Sequence, residues 1–483
     1  MKNTIYKMSL IYILCNVLML CIIDSKVYAQ KNIKIALDKY IENFIKEQNI
    51  PGASVAIVHK KDVFFKKMIG ITGESEKKVT SKTPFAIGSI SKSLTALAIV
   101  QLIEDKKIKL EDPVQRYLPW FQLKDPQISS TITIQHLLTH TSGISTYEGL
   151  ALSDKQSENS TALKENVMKL SNVKLTAPPG EKYQYSNANY IILGALIEAV
   201  TNETYSSYME KHIFQPLNMN GAAASKETAY EKGYLTGYQS WFGIPRKSVV
   251  SYDNAGAPYG YITANLEDMI QYIMFLNRSE HAQFLKQENM DLYLSPLYKI
   301  NSEKSYGFGL RTTNINKNEM MIWHSGSTPD ARAEIFILNK SGWGGVILTN
   351  KNHVLEEPAL SVLKNGIISI LNGEEPVDIP KNIPLTQIIL LIVTLILFII
   401  SFMLIKKYKH MKTAKKVIWL SIGSLSLLLS ITFIPILTYS TSSPWHTIKI
   451  FASDVALFAS IIVTLLAVNG LISIFIALRR KKV

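Results

Sequence analysis

The pattern of hydrophobic positions divides the chain into a long mixed region and an apolar C-terminal end. This end contains three apolar runs, at residues 384–405, 417–439 and 453–478. Each run is near or above the ~20 residues that a helix needs to cross a bilayer. The pattern therefore predicts three transmembrane helices, in preference to buried core helices of a soluble protein.

The N-terminus has the layout of a secretory signal. Lys2 and Lys7 precede an apolar stretch at residues 8–23. Small residues after this stretch offer a cleavage site before Gln30. We therefore expect residues 1–29 to be a signal peptide, with an uncleaved anchor helix as the alternative.

Residues 30–372 alternate between helix-like and strand-like segments. Strand-like segments lie near both ends of this region, and helical spacing dominates between them. This order predicts an α+β domain, in which an antiparallel sheet is assembled from both ends and carries an all-helical insertion. The polar, proline-containing residues 373–383 are expected to form a linker to the first span. The predicted strands are 53–59, 63–68, 321–323, 333–338 and 344–348, and the clearest helices are 37–48, 91–105 and 358–370.

The net charge of +14 does not indicate a nucleic-acid-binding protein. Basic residues around and after the apolar runs carry about ten of these charges, and the signal segment carries about two, so residues 30–383 keep about +2. The basic loop 406–416 and the basic tail 479–482 follow the positive-inside rule. We expect a multi-pass cell-membrane protein with residues 30–383 outside the cytoplasm and the C-terminus inside it.

Both cysteines, Cys15 and Cys21, lie in the predicted signal. A mature chain without them would have neither disulfides nor thiolate chemistry. His136 and His140 have the spacing of two zinc ligands on a helix, but Leu137 stands where a zinc peptidase needs its glutamate. We therefore expect these histidines to be packing residues, and we expect no metal and no organic cofactor.

The first candidate catalytic motif is Ser89-Ile-Ser-Lys92, which follows a turn and opens an apolar helix. The spacing places Lys92 on the same helical face as Ser89. There a partly buried amine can lose its proton and act as a general base toward the hydroxyl. The simpler alternative is a capping serine followed by a surface lysine. Two further Ser-x-x-Lys copies occur, at Ser171/Lys174 and Ser361/Lys364.

The second motif, Tyr185-Ser-Asn187, is expected on a loop before a helix that starts near Tyr190. A phenol in a cleft can pass a proton to a leaving group, and the Asn187 amide can bind an acyl-side amide of the substrate. Taken alone, Tyr185 could equally be an ordinary loop tyrosine.

The third motif, His324-Ser-Gly326, is expected at the end of a strand. A glycine at a strand edge lets a substrate backbone approach closely. The backbone N–H groups of Ser89 and Ser327 are the candidate donors to an oxyanion. Taken alone, His324 could be a hydrogen-bonded strand histidine.

Together the motifs resemble the serine β-lactamase and D-alanyl-D-alanine carboxypeptidase superfamily, in the branch with Tyr-x-Asn and His-x-Gly. The resemblance covers residues 35–372 and includes IPGASVAIV at 50–58 and ITIQHLLTHTSGI at 132–144. It implies a β-lactamase/transpeptidase-like fold with Ser89 as the acylated nucleophile. It further implies that Lys92 and Tyr185 transfer protons. The implied substrate-binding residues are Asn187, His324, Gly326 and Ser327.

His324 takes the place of the lysine usual in true β-lactamases, which favours D-peptidase, carboxypeptidase or esterase activity over efficient lactam hydrolysis. The C-terminal bundle resembles that of membrane-bound peptidases that remove N-acyl-D-asparagine from secreted precursors. We expect a membrane-anchored serine hydrolase that acts on a small peptide or lactam-like substrate. Prodrug maturation, β-lactamase or esterase activity, and a poorly catalytic penicillin-binding role stay open as alternatives, as does the oligomeric state.

Overall fold

A computed structural model describes residues 30–73, 75–159, 161–278, 284–316, 319–408 and 416–478. The predicted signal peptide, residues 409–415 of the basic loop and the basic tail lie outside the described residues. The chain divides into two compact units, which are described separately. The smaller unit comprises Met1–Gln48 and Pro358–Lys381, and the larger comprises Asn49–Glu357 and Asn382–Val483.

Helices and strands alternate along the described residues. The helices are α1 (residues 30–47), α2 (Ser91–Glu104), α3 (Pro126–Ser129), α4 (Ile134–Leu138), α5 (Thr146–Leu152), α6 (Ala162–Met168), α7 (Asn187–Thr201), α8 (Tyr205–Met209), α9 (Lys226–Glu231), α10 (Leu266–Leu276), α11 (Gln287–Leu294), α12 (Glu357–Leu371), α13 (Leu385–Tyr408), α14 (Lys416–Ser440), α15 (Trp445–Phe451) and α16 (Ser453–Leu478). The strands are β1 (Gly52–His59), β2 (Asp62–Gly70), β3 (Phe85–Ala86), β4 (Tyr238–Trp241), β5 (Ile244–Lys247), β6 (Thr263–Ala264), β7 (Tyr298–Lys299), β8 (Lys304–Tyr306), β9 (Arg311–Asn316), β10 (Glu319–Thr328), β11 (Ala331–Leu338), β12 (Trp343–Thr349) and β13 (Lys351–Asn352).

The main sheet joins strands from both ends of the domain, as predicted. Its order among the described residues is β2-β1-β12-β11-β10-β9-β8-β7, and neighbouring strands are antiparallel. The N-terminal hairpin β1–β2 pairs with β12, where Ala53 lies opposite Thr349. The insertion between β2 and β7 is mainly helical, and it also contains the short strands β3 to β6.

Helix α2 is the central buried element of the larger unit. Its residues Leu94–Leu97 are fully buried, as expected of a helix that is apolar on nearly every side. The polar side chains of its first turns have partners: Ser93 accepts a hydrogen bond from the Tyr272 hydroxyl (2.6 Å), and Thr95 donates to the Pro258 carbonyl (2.7 Å). Because these groups are both buried and paired, the start of α2 is held firmly.

Three helices, α13, α14 and α16, are long and apolar enough to cross a membrane. They coincide with the three predicted apolar runs to within a few residues. Helices α14 and α16 approach closely at Gly423 and Gly470, since a Cβ on Gly423 would lie 2.8 Å from the Gly470 carbonyl oxygen. Asn469 of α16 donates to the Leu397 carbonyl of α13 (3.2 Å), which ties the third helix to the first.

In the smaller unit, Tyr40 of α1 lies against α12. A Cβ on Gly366 would come within 2.1 Å of the Tyr40 hydroxyl, so this contact requires a glycine. The hydroxyl donates to the Val377 carbonyl (2.9 Å), and burial raises the pKa of Tyr40 to about 12.

Candidate active site

Ser89 lies in a 3₁₀ turn, Gly88–Ile90, that leads directly into α2. Gly88 has a φ of +55°, and a Cβ there would lie 2.2 Å from the backbone nitrogen of Ser327. A glycine is therefore required on both conformational and steric grounds. It brings the turn that carries Ser89 against β10, where Ser327 lies.

Gly326 makes the same close approach from the opposite side. A Cβ on Gly326 would lie 1.8 Å from the Ile87 carbonyl oxygen. Only a residue without a side chain can therefore pack this closely against the Ser89 turn. The sequence predicted that this motif ends its strand, but it lies inside β10, which continues to Thr328. The last paired residues of β9 and β10 are Arg311 and Trp323, which lie opposite each other. The rest of β10 lies against the Ser89 turn.

Lys92 is placed to activate Ser89. Its fully buried Nζ lies 3.0 Å from Ser89 Oγ and donates to the Tyr259 carbonyl at 2.8 Å. Burial lowers the pKa of Lys92 well below its usual value, and the charge of Arg311 lowers it further, whereas Asp154 opposes the shift. Lys92 is therefore suited to act as a neutral amine with its lone pair toward the Ser89 hydroxyl.

Tyr185 contacts the same hydroxyl. Its phenol is hydrogen-bonded to Ser89, and its ring centre lies 4.8 Å from Lys92 Nζ. Burial raises the pKa of Tyr185, and this effect outweighs the opposing charge of Arg311. Tyr185 therefore keeps its proton at neutral pH, so its phenol is available as a proton donor.

Asn187 is the first residue of α7, not a loop residue before a helix at Tyr190 as the sequence predicted. Its Nδ2 donates to Ser153 Oγ (3.0 Å), which orients the side-chain amide. Asn187 lines the same cavity as Ser89 and Tyr185. The structure thus brings the first two motifs together.

His140 packs on Tyr185, with ring centres 4.3 Å apart. Burial lowers the pKa of His140 well below its usual value, so the ring is neutral. Its Nδ1 lies 3.2 Å from the Ser186 nitrogen and 3.0 Å from Asn189 Nδ2, and both of these groups donate to it. The single ring proton is then on Nε2, which donates to the Tyr306 hydroxyl (3.2 Å).

His324 is 1% exposed and lies beside the Tyr185 ring rather than in the wall of the cavity. Its Nδ1 lies 2.7 Å from the Ser325 carbonyl oxygen and donates to it, which leaves Nε2 to accept from the Tyr306 hydroxyl at 3.4 Å. The structure places His324 as a support for the tyrosines of the site, whereas Ser327 lines the cavity itself.

Two charged residues that no sequence motif indicated also belong to the site. The guanidinium of Arg311 lies 5.4 Å from the centre of the Tyr185 ring. Asp154 lines the cavity and accepts a hydrogen bond from the Tyr261 hydroxyl (2.7 Å), and burial raises the pKa of Asp154 to about 7. Both charges act on the Lys92 amine, in opposite directions.

The cavity at Ser89 has a volume of about 540 Å³. The part of its wall that precedes α13 in the chain includes Ser89, Asp154, Tyr185, Asn187 and Ser327. Another part of the wall comes from α13 to α16 and the residues between them, and five of its nine residues are apolar. These residues are Thr386, Leu437, Thr441, Ser443, Thr447, Ile448, Phe451, Ala452 and Val455.

Neither His136 nor the Ser171/Lys174 copy of the serine–lysine motif lines the cavity at Ser89. His136 is part of a capping box, in which the Thr133 N–H donates to its Nδ1 (3.2 Å). In the part of the chain that the structure describes, no group of three or more His, Cys, Asp or Glu side chains could hold a metal ion. Ser171 and Lys174 are both exposed.

A buried lysine beside a serine at a helix start, with a tyrosine on the same hydroxyl, is an arrangement for serine acyl transfer. The β-lactamase family model matches residues 37–362. The chain therefore belongs to the β-lactamase family, whose members include penicillin-binding-protein-like and esterase-like serine hydrolases.

Individual relatives agree with this assignment. Protein flp of Staphylococcus aureus (strain NCTC 8325 / PS 47) is 31% identical over 325 residues, which span 65% of this chain and 63% of that protein. Esterase EstB of Burkholderia gladioli is 30% identical over 38% of this chain and 49% of its own length. The octameric penicillin-binding protein homologue from Pyrococcus abyssi matches with a TM-score of 0.59 and 26% identity, over 74% of this chain and 81% of that chain.

The charges of Arg311 and Asp154 should shift the pH dependence of activity in opposite directions. Activity that requires the neutral amine rises as pH increases through the pKa of Lys92. Arg311→Met removes a charge that lowers this pKa, so the rising limb of the kcat/KM profile should move to higher pH. Asp154→Asn removes a charge that raises it, so the limb should move to lower pH. The profiles can be measured with a chromogenic ester.

The surface variant Arg116→Met serves as the control for the loss of one positive charge, because Arg116 is exposed and pairs with Asp112. Its profile should coincide with that of the wild type. Shifts in the same direction for Arg311→Met and Asp154→Asn would contradict the role of Lys92 as the titrating base.

Proposed function

We propose that this chain is a membrane-anchored, extracytoplasmic serine hydrolase that works through an acyl-enzyme on Ser89 and prefers peptides containing a D-amino acid. The observation that carries the proposal is the contact of Ser89 Oγ with both the buried Lys92 amine at 3.0 Å and the Tyr185 phenol. The likeness to a penicillin-binding protein homologue supports the D-peptide preference.

In the acylation step, the neutral Lys92 amine accepts the Ser89 proton while Oγ forms a bond to the substrate carbonyl carbon. General-base assistance of this kind contributes roughly 10²- to 10⁴-fold in rate. The carbonyl oxygen becomes an oxyanion that the backbone N–H groups of Ser89 and Ser327 stabilise. One such donor is worth roughly 10²- to 10³-fold in kcat.

When the tetrahedral intermediate collapses, the Tyr185 hydroxyl protonates the leaving amine and regains a proton from the Lys92 ammonium. The raised pKa of Tyr185 suits it to this role, since a phenol that keeps its proton is ready to donate. Water then attacks the acyl-enzyme, and Lys92 and Tyr185 accept its proton. The bond to Ser89 Oγ breaks, these two residues return a proton to Oγ, and the acid product leaves.

The first test is Ser89→Ala in the full chain, purified in detergent. The variant should lose covalent adducts and turnover, by roughly 10⁴-fold or more, because no other nucleophile replaces Oγ. Intact-mass analysis with a penicillin, a D-alanyl-D-alanine peptide and an N-acyl-D-asparagine peptide measures adducts and products together.

Ser171→Ala is the matched control for this test, because Ser171 has a lysine at the same spacing but lies on the surface. It should behave like the wild type. Persistent adducts in Ser89→Ala, or their loss in Ser171→Ala, would refute Ser89 as the nucleophile.

The proposed topology places the hydrolase domain outside the cytoplasm and the basic loop inside it. A reporter fused at Lys409, which lies outside the described residues, should therefore be cytoplasmic, and one fused after Asn382 should be external. Protease accessibility in intact cells and spheroplasts distinguishes the two sides. An external reporter at Lys409 would reverse the proposed orientation.

A second candidate is a peptidase that matures a secreted prodrug by removing an N-acyl-D-amino acid. The specific observation in its favour is the set of apolar side chains that α14, α15 and α16 contribute to the wall of the Ser89 cavity. An acyl chain buried there would gain about 0.8 kcal/mol for each CH₂ group removed from water.

Under this second candidate, an N-dodecanoyl-D-asparaginyl peptide should be cleaved at least about tenfold faster, by kcat/KM, than its N-acetyl analogue. Phe451→Ser, in the cavity wall, should reduce this preference. Leu425→Ser, on an exposed part of α14, is the control and should retain it. Equal rates for the two peptides would favour the carboxypeptidase instead.

A further inference from the structure

The third membrane helix is linked to the hydrolase domain by a buried carboxylate. Asp454, the second residue of α16, is 0% exposed. Its Oδ1 accepts from His353 Nε2 (2.9 Å), and its Oδ2 accepts from the Phe242 N–H (3.0 Å). A buried carboxylate is tolerated when both oxygens are hydrogen-bonded in this way.

The hydrogen bonds of His353 define the direction of this contact. The Leu355 N–H donates to His353 Nδ1 (3.2 Å), so that nitrogen carries no proton. The proton of the neutral ring is then on Nε2 and is donated to Asp454. The pair is thus an oriented hydrogen bond from a neutral imidazole to a carboxylate.

The neighbours of His353 hold Ser327, the proposed second oxyanion donor. Asn352 Nδ2 donates to Ser327 Oγ and to the Thr328 carbonyl, both at 2.7 Å. Ser327 Oγ in turn donates to Glu357, which pairs with Arg332. Asn352 and Glu357, the first and last residues of the segment 352–357, therefore both hydrogen-bond the Ser327 side chain.

The same carboxylate also fixes the β4–β5 turn. Phe242 in that turn has a φ of +52°, and its N–H is the second donor to Asp454. Strand β13 pairs in parallel with β4, with Asn352 opposite Gln239. Asp454 thus holds the turn after β4 and the residue after β13, which both follow the carboxyl ends of the two paired strands.

We propose that Asp454 is a positioning residue for acyl transfer: through His353 and Asn352 it keeps the Ser327 backbone aligned with Ser89. The proposal rests on the proposed role of the Ser327 N–H as an oxyanion donor. Such a donor acts only when it is held at hydrogen-bond distance from the developing charge, so a small displacement of β10 lowers the rate. The third span is then a working part of the active site in addition to an anchor.

Asp454→Asn in the full chain, in detergent, tests the proposal. An amide has a single oxygen, so it can accept from either His353 or Phe242 but presents its NH₂ group to the other donor. We expect kcat for a chromogenic ester to fall about tenfold or more with KM within about twofold, because the loss concerns the transition state. Thermal unfolding of each variant is recorded in parallel.

Three further variants separate positioning from stability. His353→Leu should match the loss of kcat in Asp454→Asn, and the double variant should lose no more than either single one. His353→Gln keeps an N–H donor and should recover part of kcat. Asn469→Leu removes a contact between α16 and α13 that does not reach the hydrolase domain, and it should leave kcat unchanged.

An unchanged kcat in Asp454→Asn, additive losses in the double variant, or an equal loss in Asn469→Leu would overturn the positioning role. Intact-mass detection of acyl-Ser89 in the wild type keeps this result separate from the proposed function. A wild type without the adduct would overturn the proposed function and this proposal together. An acylated wild type with an equally fast Asp454→Asn overturns the positioning role alone.

Discussion

The rest of the site depends on the burial of one amine. An ammonium group taken out of water without a counter-charge is strongly disfavoured, so the buried Lys92 side chain favours its neutral form, and its lone pair becomes available 3.0 Å from Ser89 Oγ. The surrounding structure maintains this burial. Helix α2 is embedded in the core, and the π-helical turn Ala257–Tyr261 offers the Tyr259 carbonyl to one N–H of the amine. The remaining charges near the amine, those of Arg311 and Asp154, adjust its basicity without neutralising it.

The second constraint is steric. The turn that carries Ser89 and the strand that carries Ser327 approach so closely that neither Gly88 nor Gly326 has space for a Cβ. This contact brings together two segments more than 200 residues apart, which carry the two proposed oxyanion donors. The hydrogen bonds from Asn352 reach Ser327 and Thr328 of the same strand, and the next residue, His353, is linked to Asp454.

The apolar C-terminal helices and the β-lactamase-family domain meet at the Ser89 cavity in the larger unit. Apolar side chains of α14, α15 and α16 form part of its wall, and Asp454 at the start of α16 joins the hydrogen bonds behind it. The imidazoles of His140 and His324, which are both hydrogen-bonded to the Tyr306 hydroxyl, support the opposite side around Tyr185. The proposed base and acid therefore lie between hydrogen-bonded histidines of the core and side chains of the C-terminal helices.

The amino-acid sequence by itself determined the sheet built from both ends, the three apolar spans, and the Ser89, Lys92 and Tyr185 motifs. These features depend on local periodicity and short spacing, which a chain displays directly. Sequence reasoning placed Asn187 on a loop and His324 at a strand end, since strand and helix limits depend on pairing partners. Only the tertiary structure decided that Arg311 and Asp154 lie near Lys92 and that Asp454 contacts His353. Their positions depend on strand register and on contacts between residues far apart in the chain, and no local pattern encodes those contacts.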